Sequence, residues 1–314
     1  MSAYSEDKIK DWLSLYDDDI FSLPSVEDAF GDFDYYVSDE SDVTPLGAVD
    51  AFRPVENACL SHFGYWILQA EEVRAASLDI AQRVRFLRDN ARVLSFESNP
   101  NHLTPSLANY GETLLQLLAT SRLDLVTPTE QLALRVLKSG RYKALDGAGG
   151  YFSAPARVGV FALEMLAAAR GEAIEWETFH VPPDRFWLDC ARVGLTEPDP
   201  TKAAEWAQEL CDAHMRTLRS DLENGALNAA PGQEIEEAAH FLWPISTVAF
   251  LRMRSRLGLS TAEVDHPLMR TSFAVLHDWA IPVDAWPGAP WYVDVLAKID
   301  DAAPELAPSL APIR

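Results

Sequence analysis

Apolar residues recur along this chain at intervals of three and four, the spacing that puts them on one face of an α-helix. Cys59, Phe63, Trp66, Ala70 and Val73 form one such stripe, and Leu78, Ala81, Val84, Leu87, Ala91 and Leu94 form a second. Thr104-Pro105 predicts an N-cap followed by proline at the first helical position, with Leu107, Tyr110, Leu114 and Leu117 down one face behind it. Thr127-Pro128-Thr129-Glu130 predicts another start, with a capping box, then Leu134 and Leu137 and a stop at Gly140. Pro155 opens the next helix, which carries Val158, Phe161, Ala162, Met165, Leu166 and Ala169 and closes at Gly171.

Past the loop at Pro182-Pro183, a short apolar helix is expected around Phe186, Trp187 and Cys190, and Thr196 to Pro200 reads as a turn-rich linker. A long amphipathic helix follows from about Thr201 to Leu222, with Trp206, Leu210, His214 and Leu218 inward and Gly225 as its stop. The segment from Glu234 to Leu257 is the most apolar of the chain. Pro244 must kink it or start a second helix there, because proline removes an internal hydrogen bond. Arg252, Arg254 and Arg256 fall in its last turns, where cations oppose the dipole, and Gly258 ends it. A final helix is expected around Ser272 to Trp279. No alternating strand pattern competes with these, so the predicted fold is all-α: roughly nine to eleven helices in an antiparallel array. The organisation expected is an acidic segment at 1–50, with a helix near Asp7–Tyr16, a helical domain at 51–284 with a weak boundary at 171–200, and a Pro- and Ala-rich tail at 285–314.

Charge changes this picture at one end. The first fifty residues hold 14 Asp or Glu against Lys8 and Lys10, a formal −12 of the −22 carried by all 314 residues. Trp12, Tyr16, Phe21, Phe30, Phe33, Tyr35 and Tyr36 are interleaved with those acids. Acid mixed with rings suits a basic protein surface. The candidate partner-binding residues are therefore Asp17, Asp18, Asp19, Asp32 and Asp34 with Trp12, Tyr35 and Tyr36. A pI near 4.6 argues against nucleic acid and against an anionic membrane, both of which need concentrated Lys and Arg. Three scattered cysteines, Cys59, Cys190 and Cys211, suit a reducing compartment and small buried side chains rather than a disulfide framework. With no apolar leader at the N-terminus and no stretch of eighteen apolar residues, the expectation is a cytoplasmic protein.

Catalytic motifs are sparse. Glu237 and His240 make an E-x-x-H with Glu236 beside it, but di-iron sites of that kind need the unit twice. His62, His214, His266 and His277 lack metal-ligand spacing. Gly147 to Gly150 matches no phosphate-binding loop, and Cys59 beside His62 is not a catalytic arrangement, because such partners meet from distant parts of a fold. The expectation is a protein with no catalytic residue, no metal and no cofactor.

The segment His240-Phe241-Leu242-Trp243-Pro244, continuing through Ala249-Phe250-Leu251 to Arg256-Leu257-Gly258-Leu259 and Val264-Asp265-His266-Pro267-Leu268-Met269, resembles one family. It is similar to the C-terminal part of bacterial polymorphic-toxin immunity proteins, the family catalogued as number forty-nine. Asn57 to Arg74 and Asn109 to Leu125 match that family's Ala-rich and Leu-rich helices, so the resemblance spans about residues 55–280. It implies an all-helical cytoplasmic protein that binds a cognate toxin and blocks its active site, with no catalytic residues. The acidic segment adds that the toxin is basic, a nuclease being one candidate. The competing readings are a helical scaffold or adaptor for another protein, and a metal-dependent enzyme with a site inside the bundle.

Overall fold

The computed structural model describes residues 6–13, 45–98, 106–139, 157–218, 234–235, 237–282, 285–286 and 290–314. Among these residues the fold is all-α, with helices α1 (Glu6–Leu13), α2 (Pro45–Ala70), α3 (Ala75–Ser98), α4 (Leu107–Ala119), α5 (Leu123–Lys138), α6 (Val158–Ala169), α7 (Arg185–Arg192), α8 (Pro200–Thr217), α9 (Ile245–Arg256) and α10 (Pro290–Ala302). Short 3-10 turns join them, and the one extended pairing among the described residues is an isolated parallel bridge between Leu218 and Ile235. The chain divides into two compact units: a central one, Ser106–Ala280 with Met1–Glu6, and a terminal one, Asp7–Pro105 with Ile281–Arg314. The stretch 171–200, where the sequence suggested a weak boundary, lies inside the central unit.

Helix α4 is the axis of the central unit. It packs against α5, α6 and α9, while α7 lies on α6 and α8 on α9. Leu107, Tyr110, Leu114 and Leu117 are buried as their spacing demands, and the opposite face is buried too. On the Leu107 side, helix α6 comes close because of glycine. A Cβ on Gly111 would stand 2.5 Å from the Cα of Gly159, and one on Gly159 would stand 2.4 Å from the Leu107 carbonyl oxygen. The backbones of α4 and α6 therefore meet with no side chain between them.

Local signals set several boundaries. Asp184 caps α7 by accepting from Phe186 N–H (3.0 Å). Asp199 caps α8 by accepting from Thr201 N–H (2.9 Å), with Pro200 at the first helical position. Gly171 and Gly258 end α6 and α9 in the left-handed conformation (φ 73° and 74°). Pro244 begins a second helix rather than kinking one: a 3-10 turn at Ala238–Phe241 precedes it and α9 follows at Ile245.

Several expectations are corrected, and the helix expected to reach Leu222 ends at Thr217. Helix α5 starts at Leu123, not Thr127, so Pro128 sits inside it and removes one hydrogen bond. Ser272–Leu276 is a 3-10 turn, not an α-helix. The Pro- and Ala-rich C-terminus holds a helix, α10, and packs: Leu306, Leu310 and Ile313 are buried, and the Ile313 carbonyl accepts from Arg83 Nη1 (3.1 Å) and Tyr292 O–H (3.1 Å). Trp286, which sits between alanine and Pro287-Gly288 in the sequence, is buried with its ring 4.9 Å from that of Tyr292.

In the terminal unit α2 and α3 form an antiparallel pair. The buried face of α2 runs Phe52, Val55, Cys59, Phe63 and Ile67, while Trp66 is half-buried and Ala70 exposed. Helix α3 buries Leu78, Ala81, Val84, Leu87 and Ala91 as expected, but it also buries Asp79, Gln82, Arg85, Arg88, Asp89 and Asn90. Glu56 of α2 supplies their counter-charge, with Arg85 Nη1 and Arg88 Nη1 each 2.6 Å from one of its oxygens. Arg85 Nε reaches Asp89 at 3.3 Å. Charges removed from water this completely persist only when paired with opposite charge.

Candidate functional site

Of the residues that the sequence nominates for partner binding, Asp17, Asp18, Asp19, Asp32, Asp34, Tyr35 and Tyr36 lie outside the described residues, and Trp12 lies in α1 with its side chain outside them. Leu13 and Pro45, the described residues on either side of that stretch, both belong to the terminal unit.

The E-x-x-H residues do not pair with one another. His240, on the turn before α9, reaches α4 instead. Its Nδ1 lies 2.7 Å from Glu112 Oε1, and its Nε2 lies 3.0 Å from the amide nitrogen of Gln116. A carboxylate accepts and an amide N–H donates, so the ring is a neutral imidazole with its proton on Nδ1. Glu237 contributes only its backbone N–H, 3.2 Å from the same Glu112 oxygen, and Glu236 lies outside the described residues. Trp243 closes the ring edge-on at 5.5 Å and itself stacks on Phe273. A Glu–His pair is how many enzymes orient a general base. Here Nε2, the atom that would take a substrate proton, already accepts from Gln116, and the ring is 2% exposed.

His214 of α8 fixes this turn from the other side. Its Nε2–H donates to the His240 carbonyl (2.8 Å), and its Nδ1 lies 3.5 Å from Ser246 Oγ. Burial pushes it down to about 4, so the imidazole stays neutral. The constellation joins α4, α8 and α9 through one buried turn. What sequence reasoning missed is Glu112 and Gln116. Their spacing of four residues on a helix was visible, but nothing marked them as the partners of a histidine more than a hundred positions away.

A second histidine is equally occupied. Trp66 Nε1–H donates to His62 Nε2 (2.9 Å), so Nδ1 carries the proton and donates to Ser77 Oγ (2.8 Å). Indole is donor-only, and that fixes the tautomer. Ser77 is thus a hydrogen-bond acceptor from His62, the reverse of a nucleophile facing its base. Burial, then the positive charge of Arg74, lowers the His62 pKa. The cysteines are inert packing groups. Burial raises Cys59 and Cys211 to about 12 and raises Cys190 as well.

Among the described residues no three His, Cys, Asp or Glu side chains gather as a metal set, and no helix is long and apolar enough to cross a membrane. The fold and these constellations define a helical protein whose described buried polar groups are joined chiefly to one another. No protein-family model, curated protein or solved structure matches the chain.

Proposed function

We propose that this protein acts by binding: it is an immunity protein that engages a cognate, basic bacterial toxin and blocks its active site. The observation that carries this reading is the acid count of the first fifty residues, −12 of the chain's −22, interleaved with aromatic rings. Like charge at that density repels itself unless solvent or a basic partner matches it. The resemblance of the segment from His240 to Met269 to toxin-immunity proteins supports the same reading. The internal use of both nitrogens of His240, and of its Glu112 carboxylate, agrees with a structural role for the residues that looked most chemical.

The test is co-expression with the product of the adjacent gene. The expected outcome is that the neighbour is toxic alone, that this chain restores growth, and that the two co-purify as a complex weakened by salt. A neighbour without toxicity, or purified protein carrying stoichiometric iron or zinc that is lost in His240→Ala, overturns the reading.

A further inference from the structure

The sequence expected Trp206 on the inward side of α8, yet it is only half-buried. Its place is explained by a run of rings leading out of the core of the central unit. Buried Phe161 of α6 meets buried Trp187 of α7 at 5.3 Å. Trp187 meets half-buried Phe186 at 5.9 Å, and Phe186 meets Trp206 at 6.1 Å with the planes 31° apart. The Trp206 ring covers Gly194, where an added Cβ would stand 2.9 Å from the indole Cγ. Next to that glycine Val193 is 53% exposed. Phe186, Trp206 and Val193 thus form one apolar surface anchored in the core.

Acid flanks it. On α8 the exposed Glu205 and Glu209 bracket Trp206, Asp212 continues the same face, and Asp199 stands at the helix start. Glu209 faces α7 closely enough to act on the buried Cys190 thiol there. The exposed cations nearby are largely engaged: Arg185 pairs with Asp189 (3.3 Å) and Arg192 with buried Glu164 (2.7 Å), leaving Lys202. The surface is also held still from beneath. Arg254 of α9, fully buried, donates to the carbonyls of Gly194 and Leu195 (2.9 Å each), Glu197 (2.8 Å) and Ser260 (2.7 Å) and to Thr261 Oγ1 (2.9 Å). Three of these five hydrogen bonds hold the turn that carries Gly194, and two hold the loop that follows α9.

We infer that this edge of the central unit, formed by α7, the Gly194–Thr196 turn and the first half of α8, is a docking surface for the basic face of the toxin. Phe186, Trp206 and Val193 serve as anchors, and Glu205, Glu209 and Asp199 as the acidic rim. The inference rests on the toxin-binding reading and adds residues beyond those of the acidic N-terminal segment. Charge complementarity selects the occupant: half-buried aromatics rimmed by exposed carboxylates suit a partner that offers Lys and Arg around an apolar centre. A rigid, pre-positioned surface also loses little entropy on association.

The probe is the polypeptide encoded beside this gene, purified in a catalytically inert form, with binding followed by surface plasmon resonance across a salt series. Two variants at exposed positions are compared with the native protein, each checked for an unchanged thermal unfolding curve. Glu205→Lys with Glu209→Lys slows association about tenfold or more and flattens its salt dependence. Val193→Asp leaves association nearly unchanged and speeds dissociation about tenfold. If both variants keep native rates while the native protein binds, this surface is refuted and the toxin-binding reading stands. If the native protein does not bind the probe at all, that reading fails and the surface falls with it.

Discussion

At the scale of single residues, the central unit is defined by which proton each histidine holds. Glu112 fixes His240, and the His240 carbonyl fixes His214. Replacing Glu112 with Ala leaves the His240 Nδ1–H and the Glu237 N–H without their acceptor. The expected loss is about 1–3 kcal/mol in urea unfolding, the cost of leaving buried donors unsatisfied. A loss below about 1 kcal/mol would show that the site relaxes or hydrates. Two groups make opposite pH predictions. His214 is pushed down to about 4, so the unfolded chain takes up its proton near pH 6.5 before the folded one does. Stability tied to it is full above that point and drains away as pH falls towards 4. Glu234 accepts from Val158 N–H (2.8 Å) and Arg157 N–H (3.2 Å), yet burial pushes it up to about 7. Its contribution is full below about pH 4.5 and is lost as pH rises through 7. Glu234→Gln should therefore stabilise the protein around pH 8 relative to the native chain, with a smaller difference around pH 5. Urea unfolding at both values checks the sign, and an equal effect at the two would exclude titration of this carboxyl.

At the scale of helices, the crossing of α4 and α6 decides the shape of the central unit. Alanine is a better helix former than glycine by about 1 kcal/mol, so propensity alone favours Gly111→Ala. The close approach of Gly159 reverses that preference, because the new methyl must push the backbones apart. The expected net effect is destabilisation of about 1–3 kcal/mol, the usual range for overpacking. Gly111 also precedes Glu112, so the same change should disturb the His240 pairing, visible as a shifted imidazole resonance in NMR. Gly171→Ala tests the contrast. Its Cβ would meet nothing within 4 Å, and only the left-handed φ of 73° penalises it. The expected loss there is about 1 kcal/mol, with no effect on the histidines.

At the scale of the whole molecule, the uneven charge is the property most open to measurement. Neutralising Asp17, Asp18 and Asp19 together should slow toxin association and flatten its dependence on salt, since exposed charges act mainly on the encounter. Trp12→Ala or Tyr36→Ala should instead speed dissociation if the ring is an anchor. Native rates in all of these variants would remove the N-terminal segment from the interface. Measured beside the α7–α8 variants, they divide the binding energy between the N-terminal segment and the α7–α8 edge.

The sequence by itself determined the helical class and several boundaries, because those depend on neighbours three or four residues away. Leu107 to Leu117, the Asp199-Pro200 start and the stops at Gly171 and Gly258 are all local events. It also determined the acidic character of the N-terminus, which is a matter of counting. The packed C-terminus escaped it, because prolines and alanines hid the spacing of Leu306, Leu310 and Ile313. Everything that joins distant segments was decided by the tertiary structure alone. Glu112 meets His240, Glu56 meets Arg85 and Arg88, Arg254 gathers the carbonyls of Gly194 and Leu195, and Gly111 touches Gly159. Each of these polar groups looks, in sequence, like an ordinary member of a solvated helix face. Burial by another helix turns the same side chain into a group that must find a partner, and which partner it finds is fixed by packing rather than by spacing along the chain.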